Sequence, residues 1–394
     1  MTVPFAQEVS ISTTEPVATG RRVHWLELFF DLVIVAYIGQ IAHTIHGDPS
    51  WLDAAVFVGL LAAAWWAWVN ATLTLNLFGA RVTAPIWATV TIAMVAIGVM
   101  AAAVPEALGD RAAAFAVGNA LIRVVWAVPW LMNHRMIGQP WWRSALYSGV
   151  PALLWLVSIA VQPPWQYVIW ALAVAIEVVL LSFLDSQQLQ LRDTLDVNHL
   201  AERVSLLVVI VFGESILTII AELDAHWLSP AGLAAVLGFA AVSMLAWIYF
   251  TYAASAAERG LQRLHMRGSV GAIRDTVMYL PFLLVAGVTL FASALGTAVA
   301  EAGHSLPWGA AVCLSAGISL FFVANTAEAL RYGAPWRRIA MWSPAGILLP
   351  WVLIPIATGA TAEVVVAASA AVIAILLALM AINAGRTHEA SATE

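Results

Sequence analysis

Three residues that can carry protons, His24, Glu27 and Asp31, sit inside the apolar stretch HWLELFFDL. Steps of three and four residues put them on one face of a helix, within a turn of each other. Two carboxylates at that spacing repel when both are ionised, which favours a shared proton or a nearby cation. The plainer alternative is that Glu27 meets Arg203 while Asp31 caps a neighbouring helix. A similar polar start, His199, Glu202 and Arg203, opens a second apolar stretch that later contains Glu214. Arg123 and Glu177 complete the set, each well inside an apolar run. A carboxylate at the centre of a bilayer costs about 2.5 to 3.5 kcal/mol on insertion scales, so each acid calls for a partner or a water cavity. At about 1.5 Å per residue, Arg123, Glu177 and Glu214 are expected in one layer. Arg123 then pairs with Glu214 or Glu177, and the acid left over is the one free to carry a proton. Metal binding by His24, Glu27 and Asp31 is geometrically possible, but such sites usually recruit more than one segment, so no metal is expected.

The elements that must hold these groups are membrane helices. The chain has 394 residues, is 62% hydrophobic and 10% charged, and has a mean hydropathy of +0.89, far from the composition of a soluble domain. An all-α, polytopic integral membrane bundle follows. With roughly 20 apolar residues per crossing, about twelve spans are expected, near 25–46, 52–77, 83–104, 112–132, 144–161, 165–184, 202–222, 230–254, 276–299, 308–330, 340–357 and 362–384. With the N-terminus inside, all arginines except Arg111 and Arg123 fall on the cytoplasmic side, a strong positive-inside bias that puts both termini in the cytoplasm and the chain in the cytoplasmic (inner) membrane. The expected organisation is a cytoplasmic tail over 1–23, a first six-helix half over 24–184, a linker over 185–201, a second half over 202–384 and a tail over 385–394. The first twenty residues lack signal-peptide order and read as a polar tail. The lone cysteine, Cys313, excludes a disulfide framework and a cysteine-clustered zinc site.

Laying residue 24 over residue 199 aligns His24 with His199, Glu27 with Glu202, and Ile41 with Ile216; after a shift of offset, Ala67 and Trp68 face Ala246 and Trp247. A duplication is one reading of this and chance likeness of apolar helices is the other. A 6+6 repeat would be parallel, because an even number of spans separates the copies.

HWLELFFDLV (24–33), WWAWVN (65–70), NHLAERVSLLVVIVFGES (198–215) and WIYF (247–250) resemble the signatures of the bacterial low-temperature-requirement A family. The similarity runs in register over about residues 21–300, with the last three helices alike only in hydrophobicity. Membership implies a multi-pass protein of the cytoplasmic membrane and no settled activity. The pattern departs in three places: NLFGARVTA follows WWAWVN where the family has an acidic cluster, Thr251 replaces an aspartate, and Tyr279 replaces a histidine. These losses put an ion-coupled role in question and make a specialised descendant plausible.

Two functions fit these residues. In a transporter or channel, Asp31, Glu27, Glu177 and Glu214 form a proton or ion relay, and Arg123, His24, His199, Glu202, Arg203, Asn70, Trp68, Trp247 and Tyr249 contact the cargo. In an intramembrane enzyme acting on a lipid or isoprenoid, one of the acids is a general acid in a tryptophan-lined pocket. Of the nineteen tryptophans, Trp51, Trp141, Trp142, Trp165, Trp227, Trp308 and Trp336 flank spans as interfacial anchors. Trp65, Trp66, Trp68, Trp126, Trp130, Trp155, Trp170, Trp247 and Trp351 lie deeper and either pack helices or line that pocket. The partners expected are the bilayer and a small-molecule, ionic or apolar lipid-like substrate. Phosphate-binding loops, HExxH, GxSxG and basic–aromatic patches are absent from the sequence, so no cofactor, no nucleic acid and no ATP-driven cycle is expected. The oligomeric state is not legible.

Overall fold

A computed structural model describes residues 21–80, 82–184, 195–225, 227 and 230–392. Most of the expected N-terminal tail, the first ten linker residues, Arg81, Arg192 and the last two residues lie outside the described residues. Among the described residues the chain is helical throughout: α1 (Trp25–Ala42), α2 (Trp51–Phe78), α3 (Ala84–Ala103), α4 (Ala112–Met132), α5 (Trp141–Ser158), α6 (Trp165–Leu184), α7 (Val197–Ala225), α8 (Ala231–Ile248), α9 (Leu280–Ala300) and α10 (Trp308–Arg331). A segment of short turns, α11 (343–357), and α12 (Ala362–Ala392) follow. Ten helical runs among the described residues are long and apolar enough to cross a membrane. The other two expected spans fall on α5, which opens with WWRS, and on α11, which Pro344, Pro350 and Pro355 break into single turns by removing amide donors. Pro129 and Pro151, by contrast, sit inside intact helices.

The ends are set by local chemistry. His24 caps α1: its Nδ1 accepts the Leu26 amide at 3.2 Å, while Glu27 reaches back to the His24 amide, a reciprocal capping box. Ser50 and Asp53 do the same for α2. Two expectations shift. The helix expected from 202 begins at Val197, and the link expected over 255–275 is mostly helix. α8 continues through a π turn (Tyr249–Ala254) into Ser255–Met266, and Val270–Arg274 enters α9 through a second π turn (Asp275–Tyr279). The extension holds because SAAERGLQRLHM is built of good helix formers and buries Leu261 and Leu264 while its charges face outward.

The packing order of the first helices recurs in the later ones. α1 contacts α2 and α3, α3 packs on α4, and α4 on α5; α7 contacts α8 and α9, α9 packs on α10, and α10 on α11. Both inner pairs close on a glycine. A Cβ at Gly118 of α4 would meet Met100 and the Ala96 carbonyl of α3, and one at Gly317 of α10 would meet the Gly287 carbonyl of α9. Backbones approach closely there because no side chain separates them, the usual device of helix contacts in lipid.

Candidate functional site

The first site joins α1, α2 and α7 at one end of the bundle. Arg203 of α7 gives Nη1 to Glu27 Oε2 and Nη2 to Asp31 Oδ1, both at 2.7 Å, and its guanidinium lies 5.8 Å from the Trp68 ring centre. Trp68 Nε1 donates to the same Asp31 oxygen at 2.9 Å. Arg21 approaches Glu27 Oε1 at 2.8 Å and also donates to the Leu75 carbonyl at 2.6 Å, closing the end of α2. Two carboxylates are thus balanced by two arginines. Of the alternatives the spacing leaves open, the structure has the nearby cation and not the shared proton: Arg203 contacts both acids, Glu27 meets it as the plainer alternative has it, and Asp31 caps no helix. His199 adds a directional contact. Asn76 Nδ2 donates to the Asp196 carbonyl and to His199 Nδ1, and Asn76 Oδ1 accepts the Asp196 amide. The amide is therefore fixed in orientation, the ring proton sits on Nε2, and it is given to Glu27.

The second site is in mid-bundle. Arg123 of α4 contacts Glu177 Oε2 with Nη2 at 2.8 Å and Nε at 3.2 Å, donates Nη1 to the Asn119 carbonyl and side-chain oxygens, and lies 5.4 Å from the Trp155 ring centre. Both residues are essentially inaccessible, at 1% and 0% exposure. Arg123 therefore selects Glu177 over Glu214. Glu214 of α7 is turned to α1 instead. Glu214 is half-buried, packs its carboxylate against Gly39 of α1 and faces His43.

Glu177 keeps one carboxylate oxygen, Oε1, buried with no hydrogen bond of normal distance and angle, though the Asn70 side chain is near enough to act on that carboxylate. Asn70 and Tyr147 lie beside that carboxylate, and both also line a cavity of about 100 Å³ between α2, α4, α5 and α6. Trp126, whose buried Nε1 is unpartnered, lines it as well. Its mouth carries Gln139, Arg143 and Arg274, at the same end of the bundle as Leu195 and Leu200 at the start of α7.

Other expected contacts fall elsewhere. His24 is a helix cap, and Glu202 is exposed and accepts the Val23 amide at 3.1 Å. Trp247 is 60% exposed on the outer surface of the bundle and lines neither cavity, as α8 turns that face away from its neighbours. Trp351 is also exposed, whereas Trp65, Trp66, Trp155 and Trp170 are buried packing residues. Tyr249 is buried in the first π turn. Thr251 lies in the first π turn and Tyr279 in the second, so two of the three family departures fall where the helices are locally widened.

A duplicated connection went unread in the sequence. GQPWWRSALYS (138–148) joins α4 to α5, and GAPWRRIAMWS (333–343) joins α10 to α11, with Gly, Pro, Trp, Arg, Ala and Ser in identical places. Gly138 and Gly333 both adopt the left-handed conformation, at φ 64° and 76°, which only glycine enters freely. Gln139, Arg143 and Tyr147 line the first cavity; their counterparts Ala334, Arg338 and Trp342 line a second, of about 280 Å³. Leu73 and Leu77 correspond to Tyr252 and Ala256 in the same way, at the offset set by the Ala-Trp pairs. Glu328 and Asn325 of α10 face this second cavity. Their signal was two polar residues three apart on one face of an apolar helix, hidden by the nearby helix end.

Long apolar helices with paired charges sealed between them define a polytopic integral membrane protein. Residues 22–382 match the family model described as Bacterial low temperature requirement A protein (LtrA), and the chain belongs to that family. The match extends through the C-terminal helices, beyond the residue 300 or so read from the motifs. An uncharacterized protein of Rhizobium meliloti (strain 1021) is 30% identical over 255 residues, 58% of this chain and 62% of that one. The aligned region therefore spans less than two thirds of that relative. No solved structure matches.

Proposed function

We propose that this chain moves protons or a small cation across the cytoplasmic membrane, with Glu177 as the group that is loaded. The observation that carries this reading is Glu177 Oε1, buried with no hydrogen bond of normal distance and angle and set behind Asn70 and Tyr147 at the inner end of the first cavity. A buried carboxylate oxygen without a well-formed hydrogen bond is one that a proton or cation can satisfy. At about 100 Å³ the cavity holds about three waters at roughly 30 Å³ each. That suits an ion and its hydration, and it is too small for a prenyl chain, which weighs against an isoprenoid enzyme.

Arg123 supplies the switch in this reading. It is bound to Oε2, so loading Oε1 removes the charge that the guanidinium balances and leaves it to the Asn119 oxygens and the Trp155 ring. Glu27, Asp31 and Arg203 lock α1 to α7, and Glu214 with His43 offers a titratable step nearer the far end. The two parallel six-helix units, 24–184 and 202–384, and cytoplasmic termini belong to the same proposal.

Proteoliposomes carrying a pH-sensitive dye and an imposed potential test it. Wild-type protein is expected to pass protons, or Na⁺ or K⁺ when those ions are supplied, and Glu177→Gln to lower the rate at least about a hundredfold, the lower end of the scale for removing a proton-transfer group. Equal rates in the two proteins remove Glu177 from the path; a wild type that passes none of the three ions ends the reading.

A further inference from the structure

The second cavity differs from its counterpart in size and in charge. In the first unit the acid is paired with a buried arginine. In the second, Glu328 is 7% exposed and its side chain has no ion pair or hydrogen bond among the described residues. Beside it, Asn325 is equally buried; its Nδ2 is spent on the Phe321 carbonyl, which leaves Oδ1 buried and unpartnered. Two acceptors thus face one cavity, neither engaged by a hydrogen bond among the described residues. Tyr252, Tyr332 and Trp342 supply ring surface around them, and a π turn forms part of the wall; such turns recur at functional sites. At the rim, Arg259 and Arg338 are exposed and have no acidic partner among the described residues.

Acceptors and aromatic surface inside, with guanidinium groups at the mouth, form a gradient of charge across one small space. We propose that this cavity is a binding site for a small zwitterion. Its ammonium end enters toward Glu328, Asn325 Oδ1 and the rings, and its anionic end stays at Arg259 and Arg338. The ammonium repairs the two orphaned acceptors and meets ring faces that favour a cation, and the fork of a guanidinium suits a carboxylate. About 280 Å³ lies just below the usual range of ligand pockets, room for an amino-acid-sized molecule and not for a lipid. The inference does not depend on the chain being a transporter, because it concerns occupancy alone.

Thermal unfolding of the full-length protein in detergent, followed by tryptophan fluorescence, provides the test. The probes are glycine betaine, glycine and alanine as zwitterions, with choline and acetate as half-molecules. At least one zwitterion is expected to raise the midpoint saturably, and at lower concentration than either half-molecule. Glu328→Gln should weaken that binding about tenfold or more, since a charge-assisted contact is lost, and Arg338→Ala by a smaller factor. Arg338 is exposed, so its variant reports on the site even if Glu328→Gln does not fold. No shift with any zwitterion, an undiminished shift in Glu328→Gln, or choline binding as tightly as the zwitterions and indifferent to Arg338→Ala each overturns the proposal.

Discussion

Arg203→Met lowers the unfolding free energy by about 3 to 5 kcal/mol, the scale for removing one partner of a buried ion pair. The size follows from what is left behind: Asp31 would keep only Trp68 as a donor, and its Oδ2 is already unpartnered. Glu27 fares better because Arg21 and His199 remain. The expected order is therefore specific. Asp31→Asn introduced into Arg203→Met should recover more stability than Glu27→Gln in the same background. Thermal or denaturant unfolding in detergent measures both, and equal recovery would contradict the geometry described. Replacing all three groups together should come closest to wild type, since a buried charge network removed as a unit is often nearly neutral.

Arg123→Met is expected to cost a similar amount, and here stability and transport can be separated. Glu177→Gln alone strands a buried guanidinium, although the Asn119 oxygens and the Trp155 face still hold it. The double variant removes both charges and should be more stable than Arg123→Met alone, with a coupling energy within the range of about 0.5 to 3 kcal/mol typical of contacting residues. Its ion flux should nevertheless stay at the level of Glu177→Gln. Flux restored along with stability would mean that the pair serves the fold and that the ions travel elsewhere.

The span positions were legible because hydropathy and arginine placement report directly on the bilayer, and the pairing of Arg123 was narrowed to two acids. Choosing between them required knowing which neighbour each acid meets, Arg123 for Glu177 and Gly39 of α1 for Glu214. The polar run DVNHLAER reads as linker, yet it is helical from Val197 because Asp196 caps it, accepting the Asn198 and His199 amides at 3.1 Å. The overlay from residues 24 and 199 does not reach the two Gly-Pro-Trp-Arg connections, which align at a different offset. His24 and His199 open equivalent helices, but loops of unequal length between the later helices shift the register, so the Gly-Pro-Trp-Arg connections were never compared. Glu328 was missed for a related reason: three residues before Arg331 it passes for a headgroup-level acid, and only the α8 extension, the α10–α11 connection and α12 packed around it make it buried. Trp247, read as equivalent to Trp68, shows the opposite failure. Identical letters at matching positions carry no information about which neighbour a helix face meets.

The twin Gly-Pro-Trp-Arg connections bear on which solution the protein samples. The α4–α5 and α10–α11 corners lie at the same end of the bundle: Asp275, beside the first cavity's Arg274, is bound by Arg331 from the end of α10, and Gly260 of the α8 extension packs on Tyr332. Inverted repeats would place such corners at opposite ends. Both cavity mouths here lie at one end of the bundle, so ligands reaching them from the compartment at that end fill the two in proportion to their separate affinities. Two dissimilar ligands present together in that compartment would be held at once, without competing.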